Sequence, residues 1–164
     1  MKFSLVIFTL NEIEGCKITI PRINKDLFDE IIVIDGGSTD GTVEYLKKHN
    51  LKVIAQNKKK KYTKFEIIFL KKNLTDAYLL GIEHSRNDYV VMPFTPDVNM
   101  IPEELPRLLD KVREGNEMVI VSRYKDGAKS LDDTLISGFG NWMFTKLVNL
   151  FFGGKFTDLL GGYR

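Results

Sequence analysis

Short apolar runs rich in valine and isoleucine alternate along this chain with longer segments that have the pattern of helices. Five runs are typical of buried strands, at residues 3–8, 30–34, 51–55, 89–94 and 118–121. Four segments favour helices, at residues 42–49, 74–84, 102–113 and 139–152. Strands that alternate with helices predict an α/β fold, with a mostly parallel sheet and helices on both of its faces.

Length and composition limit the classes of protein to which the chain can belong. Its 164 residues suffice for one domain with a hydrophobic core, so we expect a single domain over residues 1–164. The net charge of +2 argues against a nucleic-acid partner. Cys16 is the only cysteine, which fits a reducing compartment, and no apolar run approaches the roughly 18 residues of a membrane span. We therefore expect a cytoplasmic protein, with peripheral contact to the inner face of a membrane left open.

Polar residues follow the first two predicted strands, at the edge where open parallel sheets bind their ligands. They are Thr9, Asn11 and Glu12 after the first strand, and Asp35, Gly36 and Ser38 after the second. Glycine at such a place permits a tight turn and a close approach of the backbone to a ligand. A plain strand-to-helix turn has the same composition, with Ser38, Thr39 or Asp40 as the helix cap. The second segment alone therefore does not distinguish a ligand site from a simple turn.

Taken together, the two segments resemble the opening of family 2 glycosyltransferases. In that family the first strand ends in Pro-Thr or a similar pair before Asn-Glu, and the second in Asp-Asp-Gly-Ser or Asp-Gly-Gly-Ser. This chain reads TLNE from Thr9 and DGGS from Asp35. The resemblance implies the GT-A fold and a nucleotide pocket that Thr9, Asn11 and Glu12 line, with Asp35 at the base or ribose. Gly36 stands where many relatives have a second aspartate, so one nucleotide contact is either missing or made by the backbone.

An Asp-X-Asp motif follows the fourth strand in that family and holds a divalent cation against the donor diphosphate. The corresponding segment here is TPDVN at residues 95–99, with one aspartate instead of two. The resemblance implies that Asp97 is the metal ligand, with Thr95 and Asn99 as neutral oxygen ligands. Because hard cations prefer oxygen, the ion is expected to be Mg²⁺ or Mn²⁺. We expect weaker affinity for the free metal than a site with two carboxylates would have, in an enzyme that is nonetheless active.

Two further groups are candidates for catalysis. The tripeptide SRY at residues 122–124 resembles a motif that follows the family's fifth strand, and Arg123 there would bind phosphate through two parallel hydrogen bonds. Alone, it is equally typical of a surface charge. Asp132 and Asp133 are candidates for a general base if the acceptor is a hydroxyl, whereas an anionic lipid-phosphate acceptor needs none. An acidic pair is also typical of a solvated turn.

Other parts of the chain fit the resemblance less directly. Residues 58–72 carry seven lysines and one acid around an apolar run, 65–70, that relatives do not have. Its lysines are interpreted as a solvated charge run or as a contact to an anionic membrane or a phosphate-rich ligand. Its apolar run is interpreted as an extra edge strand, a flap over the donor site or a contact in a homo-oligomer. The aromatic helix at residues 139–152 either packs on the core or rests at a membrane interface. Relatives continue beyond a similar final motif, so we expect the family's C-terminal extension to be absent.

The resulting prediction is a metal-assisted glycosyltransferase that moves a sugar from a UDP- or GDP-linked donor to a lipid-phosphate or polysaccharide acceptor, as in cell-envelope polysaccharide biosynthesis. The family implies inversion at the anomeric carbon. The missing first aspartate indicates the alternative, a non-catalytic nucleotide-sugar-binding or scaffold relative. A nucleotidyltransferase is disfavoured, because residues 9–12 are not a glycine-rich phosphate loop. The sugar, the base, the acceptor and the oligomeric state stay open.

Overall fold

The fold is that of a computed structural model, which describes residues 1–56, 72–97, 100–125 and 134–159. The chain divides into two compact units, Met1–Glu104 and Leu105–Arg164. That the chain forms a single domain over residues 1–164 stays a prediction.

Among the described residues of the first unit, four parallel strands form one sheet. They are β1 (Phe3–Thr9), β2 (Glu30–Asp35), β3 (Lys52–Ala55) and β4 (Tyr89–Phe94). The strands lie in the order β3-β2-β1-β4, and each pairing is parallel. All of β1 is buried, because it is covered on both faces, which explains why its sequence is apolar at the consecutive positions 5–8 instead of alternating. The predicted parallel sheet is confirmed.

Helices connect the strands of the first unit. They are α1 (Ile13–Thr19), α2 (Thr42–Lys48) and α3 (Lys72–His84). α3 packs on one face of the sheet, where Ala77 joins a buried cluster that contains Val6, Phe8, Ile32 and Ile34. α1 contacts α2, and α2 contacts β3. Sequence patterns did not predict α1, because seven residues are too few to show a helical period.

The second unit contains α4 (Leu105–Arg113) and α5 (Leu135–Phe152). α4 buries Leu105, Leu109 and Val112, which are spaced as expected for one helix face. The predicted helix at residues 102–113 is confirmed, although its first turn, Pro102–Glu104, is a 3₁₀ helix. The predicted helix at residues 139–152 is also confirmed and begins four residues earlier, at Leu135.

The predicted strand at residues 118–121 is wrong. The segment has no regular secondary structure, and its end residues Met118 and Val121 are exposed. A short apolar run becomes a strand only when a neighbouring strand satisfies its backbone hydrogen bonds, and none of the described strands pairs with this one. The sequence of a four-residue run does not show whether a partner strand exists for it.

α5 exposes most of its large apolar side chains. The exposed residues are Ile136, Phe139, Trp142, Met143, Phe144, Leu147, Leu150, Phe151 and Phe152. Two of its buried residues, Asn141 and Thr145, are polar. This distribution is the reverse of that expected for a helix that packs on a hydrophobic core. In the part of the chain that the structure describes, no helix combines the length and the hydropathy needed to cross a bilayer.

Candidate functional site

A cavity of about 320 Å³ lies in the first unit, beside the carboxyl ends of all four strands. Its lining residues are Phe8, Thr9, Leu10, Glu12, Ile34, Gly36, Gln56, Leu74, Ala77, Thr95 and Asp97. Open parallel sheets bind ligands at this edge, because the strand-end loops converge there. The structure therefore brings together five of the predicted site residues: Thr9, Glu12, Gly36, Thr95 and Asp97.

Asn11 joins the loops that follow β1 and β2. Its backbone is left-handed, with a φ of 55°, a conformation that asparagine tolerates better than most residues. Its N–H donates to Ser38 Oγ at 2.9 Å, and its side-chain oxygen accepts from the Thr39 N–H at 2.9 Å. In this structure Asn11 and Ser38 hold the two loops together. Their direct contact with a nucleotide stays a prediction.

The buried carboxylate of Asp35 accepts hydrogen bonds from four neighbouring donors. One oxygen accepts from the hydroxyls of Thr9, at 3.1 Å, and Ser38. The other accepts from the backbone N–H groups of Gly37, at 2.7 Å, and Ser38, at 2.9 Å. Gly37 has a φ of 99°, which favours glycine. Asp35 thus shapes the turn after β2, and its predicted contact with a base or ribose remains untested.

Asp40 ties the start of α1 to the start of α2. Its carboxylate accepts from the backbone N–H groups of Ile13 and Thr42, each at 3.0 Å, and from the Thr42 hydroxyl. The Thr42 hydroxyl oxygen accepts in turn from the Glu12 N–H at 3.0 Å. Hydrogen bonds from the Thr42 side chain and from the backbone lower the pKa of Asp40. The sequence had suggested Asp40 only as a helix cap, not as the residue that links the two loops.

Negative charge accumulates at the cavity around Asp97 and Glu12. Burial raises the pKa of Glu12, and the charges of Asp97 and Asp40 raise it further. One carboxylate oxygen of Asp97, Oδ1, is buried and has no hydrogen-bond partner among the described residues. A buried oxygen without a donor is costly, and a hard cation would satisfy it. Asp97 Oδ1 therefore suits a divalent ion, and the predicted role of Thr95, which also lines the cavity, stays a prediction.

The protein side chains alone do not complete a metal site in the described ranges. No group of three or more histidine, cysteine, aspartate or glutamate side chains there is arranged to hold an ion. Asn99, the third predicted ligand, lies outside the described residues, as do Asp132 and Asp133, the predicted general bases. An ion at Asp97 would need further oxygens, which a diphosphate supplies. The roles of all these residues stay predictions.

α1 lies directly against the backbone that leads to Asp97. A Cβ atom placed on Gly15 would stand 1.8 Å from the carbonyl oxygen of Pro96, so no side chain fits there. The absence of a side chain therefore sets how closely α1 approaches this segment. Sequence reasoning missed Gly15, because a glycine inside a short helix looks like a weak helix former until the contact is known.

Cys16 is fully buried beside this contact. Burial raises the pKa of its thiol to about 12, and the charges of Glu12, Asp40 and Asp35 contribute to the rise. A thiol with a raised pKa is protonated at neutral pH, and this does not favour a nucleophilic role. This agrees with the absence of any nucleophile motif around it in the sequence.

In the second unit, Arg123 is held by Asp158. Its Nε and Nη2 atoms donate to the carboxylate at 2.9 and 3.2 Å, and its backbone N–H donates at 3.1 Å. The carboxylate also accepts from Asn141 Nδ2 at 2.7 Å. The Arg123 side chain is only 13% exposed, so it is not a solvated surface charge. Binding of phosphate by Arg123 stays a prediction.

The pKa of Asp158 reflects two opposing causes. Burial raises it, but hydrogen bonds from Arg123 and Asn141 outweigh burial and hold it below its ordinary value. A carboxyl whose pKa is lower in the folded state stabilises the fold above its unfolded pKa, about 4, and loses that contribution as the pH falls through the folded pKa. The ion pair therefore makes the second unit sensitive to acid.

We expect Asp158→Asn to destabilise the second unit by about 3 kcal/mol at neutral pH, because it leaves the Arg123 charge buried without its partner. The cost should shrink as the pH falls through the lowered pKa of the folded Asp158 carboxyl, because the wild-type side chain then becomes protonated as well. Urea unfolding monitored by circular dichroism at neutral pH and over a series of acid pH values measures the difference. The matched control is Asp110→Asn, which removes an exposed ion pair with Arg113 at 2.8 Å and should change stability by less than about 1 kcal/mol. Equal losses in the two variants at neutral pH would contradict the assignment.

Comparison with known proteins places the chain among sugar transferases. A sequence model of glycosyl transferase family 2 matches residues 4–164. A dolichol-phosphate mannosyltransferase of Pyrococcus furiosus is 32% identical over 79% of this chain and 35% of its own length. An undecaprenyl-phosphate mannosyltransferase of Micrococcus luteus is 28% identical over 100% of this chain and 65% of its own length. The chain thus spans less than two thirds of either relative.

A solved structure shares the architecture of the chain. It is glucosyl-3-phosphoglycerate synthase from Mycobacterium tuberculosis in complex with Mn²⁺ and UDP-glucose. The two chains are 26% identical, with a TM-score of 0.53 over 70% of this chain and 40% of that one. This similarity and the parallel sheet confirm the predicted GT-A fold.

Proposed function

This chain belongs to glycosyl transferase family 2, and from that membership we propose that it transfers a sugar from a nucleoside-diphosphate donor bound in the cavity of the first unit. One observation carries the proposal: the buried Oδ1 atom of Asp97 has no partner among the described residues and lies at the cavity beside the carboxyl ends of the strands. Such an oxygen suits a ligand that brings a cation with it. An enzyme is favoured over a scaffold because the single aspartate of the motif is positioned at the cavity.

The cavity offers two kinds of surface to a donor. The apolar lining, which includes Phe8, Leu10 and Leu74, suits the flat face of a base, whereas Asp97 and Thr95 present oxygens. A volume of about 320 Å³ lies within the range of small-ligand pockets. Asp97 would hold Mg²⁺ or Mn²⁺, with Thr95 as a neutral neighbour. When bound, the ion would offset the charge that develops on the departing diphosphate.

The proposed reaction is a single displacement at the anomeric carbon of the sugar. An acceptor oxygen donates an electron pair to that carbon while the bond from carbon to the diphosphate oxygen breaks, and the nucleoside diphosphate leaves with the electron pair. Attack opposite the leaving group inverts the configuration. A phosphate acceptor is already anionic and requires no base, whereas a hydroxyl acceptor would transfer its proton to a general base such as Asp132 or Asp133.

A lipid phosphate is the favoured acceptor. Both curated relatives carry a polyprenyl phosphate in their names, dolichol phosphate in one and undecaprenyl phosphate in the other. The exposed apolar side chains of α5 support the same choice, since aromatic residues on a helix surface suit a membrane interface. The protein would then act at the cytoplasmic face of a membrane, in the assembly of cell-envelope glycans.

Calorimetric titration with UDP, GDP and their sugar conjugates, with Mn²⁺ and with EDTA, tests the donor site. We expect one nucleotide to bind with micromolar affinity in Mn²⁺ and at least about tenfold more weakly in EDTA, because the metal links the diphosphate to Asp97. Absence of binding by every nucleotide would refute the donor site. Binding without sugar transfer to any polyprenyl phosphate would favour the non-catalytic alternative.

Membrane contact by α5 has a built-in probe, because Trp142 is the only tryptophan in the chain. We expect its emission to shift to shorter wavelength when vesicles of anionic phospholipid are added, since the indole would leave water for the interface. Phe151→Asp should abolish the shift. The matched control is Leu79→Asp on α3, which alters a similarly exposed apolar residue and should leave the shift unchanged. Trp142 emission that does not change when vesicles are added would exclude membrane contact through this helix.

A further inference from the structure

The thioether of Met100 accepts a hydrogen bond from the segment that carries Asp97. The backbone N–H of Thr95 donates to Met100 Sδ at 3.0 Å. Met100 is only 2% exposed, so its sulfur is shielded from water. Thr95 and Asp97 line the cavity, whereas Met100 is not among the lining residues. Any effect of Met100 on a ligand in the cavity must therefore pass through the backbone that it holds.

The position of Thr95 explains why its N–H needs this acceptor. β4 ends at Phe94, which is paired with Ile7 of β1, so Thr95 is the first residue beyond the strand. A backbone N–H that is shielded from water and left without an acceptor is costly. A thioether is a weak acceptor, but the long unbranched side chain of methionine can adapt its shape to reach a donor from within the core.

A second contact restrains the same segment at the next residue. The Pro96 carbonyl oxygen lies so close to α1 that a Cβ atom on Gly15 would stand 1.8 Å from it. Thr95 and Pro96 directly precede Asp97 in the chain. The backbone that presents Asp97 Oδ1, the buried oxygen without a described partner, is thus held at both of the preceding residues.

We propose that Met100 is a positioning residue for Asp97, because its sulfur fixes the backbone after β4 and so holds Oδ1 in place for the cation of the donor. The inference rests on the proposed function, since it requires a nucleoside diphosphate and its divalent ion in the cavity. Leucine is close to methionine in volume but cannot accept a hydrogen bond. With leucine at position 100, the Thr95 N–H would have to move to find water or another acceptor, and Asp97 would move with it.

Met100→Leu in the full chain tests the assignment by calorimetry with UDP and GDP. Affinity for the nucleotide that the wild type binds should fall about tenfold in Mn²⁺ and stay unchanged in EDTA, because only metal-dependent binding uses Asp97. The matched control is Met92→Leu, which makes the same exchange in β4, where Met92 packs against the buried cluster of the sheet. It should leave both affinities unchanged.

Amide hydrogen exchange of Thr95, followed by NMR, tests the hydrogen bond itself. The Thr95 N–H should exchange slowly in the wild type and in Met92→Leu, and at least about tenfold faster in Met100→Leu. Fast exchange of this N–H in the wild type would overturn the inference, even if Met100→Leu did not fold.

The outcomes separate this inference from the proposed function. Wild-type protein that binds no nucleoside diphosphate would overturn the proposed function and the role of Met100 together. Wild-type protein that binds one with a dependence on Mn²⁺ that Met100→Leu retains would overturn the role of Met100 alone. Equal weakening by Met100→Leu in Mn²⁺ and in EDTA would also overturn it, because the substitution would then have disturbed the pocket as a whole.

Discussion

Replacement of Asp97 by alanine is expected to lower sugar transfer about a thousandfold, the range observed when one preorganised charge-stabilising group is removed from an active site. The same variant should unfold at the same temperature as the wild type or a higher one. The reason is that Asp97 Oδ1 is buried without a partner in the described residues, so its removal relieves a cost instead of adding one. Turnover assays with Mn²⁺ and differential scanning calorimetry measure the two effects.

The matched control for this prediction is Asp88→Ala. Asp88 is exposed and directly precedes β4, at the end of that strand opposite to Asp97. It should change neither turnover nor the dependence of nucleotide binding on Mn²⁺. Unchanged turnover in the Asp97 variant would remove that residue from the mechanism. A thousandfold loss accompanied by a large drop in unfolding temperature would instead indicate a structural role.

Gly15→Ala is expected to reduce transfer about a hundredfold, although Gly15 is not among the residues that line the cavity. The added methyl group would stand 1.8 Å from the Pro96 carbonyl oxygen, so α1 or the segment that carries Asp97 must move by more than an ångström. Overpacking of this kind costs about 1 to 3 kcal/mol of stability. Turnover assays and the Mn²⁺ dependence of nucleotide affinity, both at a temperature where the variant is fully folded, measure the effect.

Gly138→Ala provides the control for the glycine substitution itself. Gly138 lies within α5, and an added Cβ atom there meets nothing within 4 Å. Alanine is the better helix former, so this variant should gain up to about 1 kcal/mol and keep full activity. If Gly15→Ala loses stability but keeps the Mn²⁺ dependence of nucleotide binding, Gly15 does not position Asp97.

The sheet was predictable because its strands carry their own signal. β1 is buried along its whole length and β2 along its last four residues, and both are mostly apolar in sequence. β4 is also mostly apolar, although only Val91 and Phe94 are buried in it. The segment at residues 118–121 carries the same signal without a partner strand, and there the prediction failed. α1 was missed because its seven residues are too few to show a helical period. Its close approach to Pro96 could not be predicted either, because Gly15 and Pro96 are far apart in the chain.

The site was predictable where a residue follows a strand. Thr9, Glu12 and Asp97 line the cavity because parallel strands deliver their ends to one edge. Gln56 also follows a strand, but nothing in the sequence shows that it stands beside Gly36. That contact depends on the strand order, in which β3 neighbours β2. Strand order is a property of the assembled sheet, and short-range patterns do not report it.

The hydrogen bonds between the loops after β1 and β2 have a consequence for protein engineering. Asn11, Ser38 and Thr39 bond across the gap between the loops, and Asp40 and Thr42 hold the start of α1. Each loop supplies donors or acceptors that the other needs. A chimera that takes only one loop from a relative would leave several of these donors and acceptors without partners. A chimera that takes both loops would keep all of the hydrogen bonds between them. The two loops therefore form one structural unit and should be exchanged together or not at all.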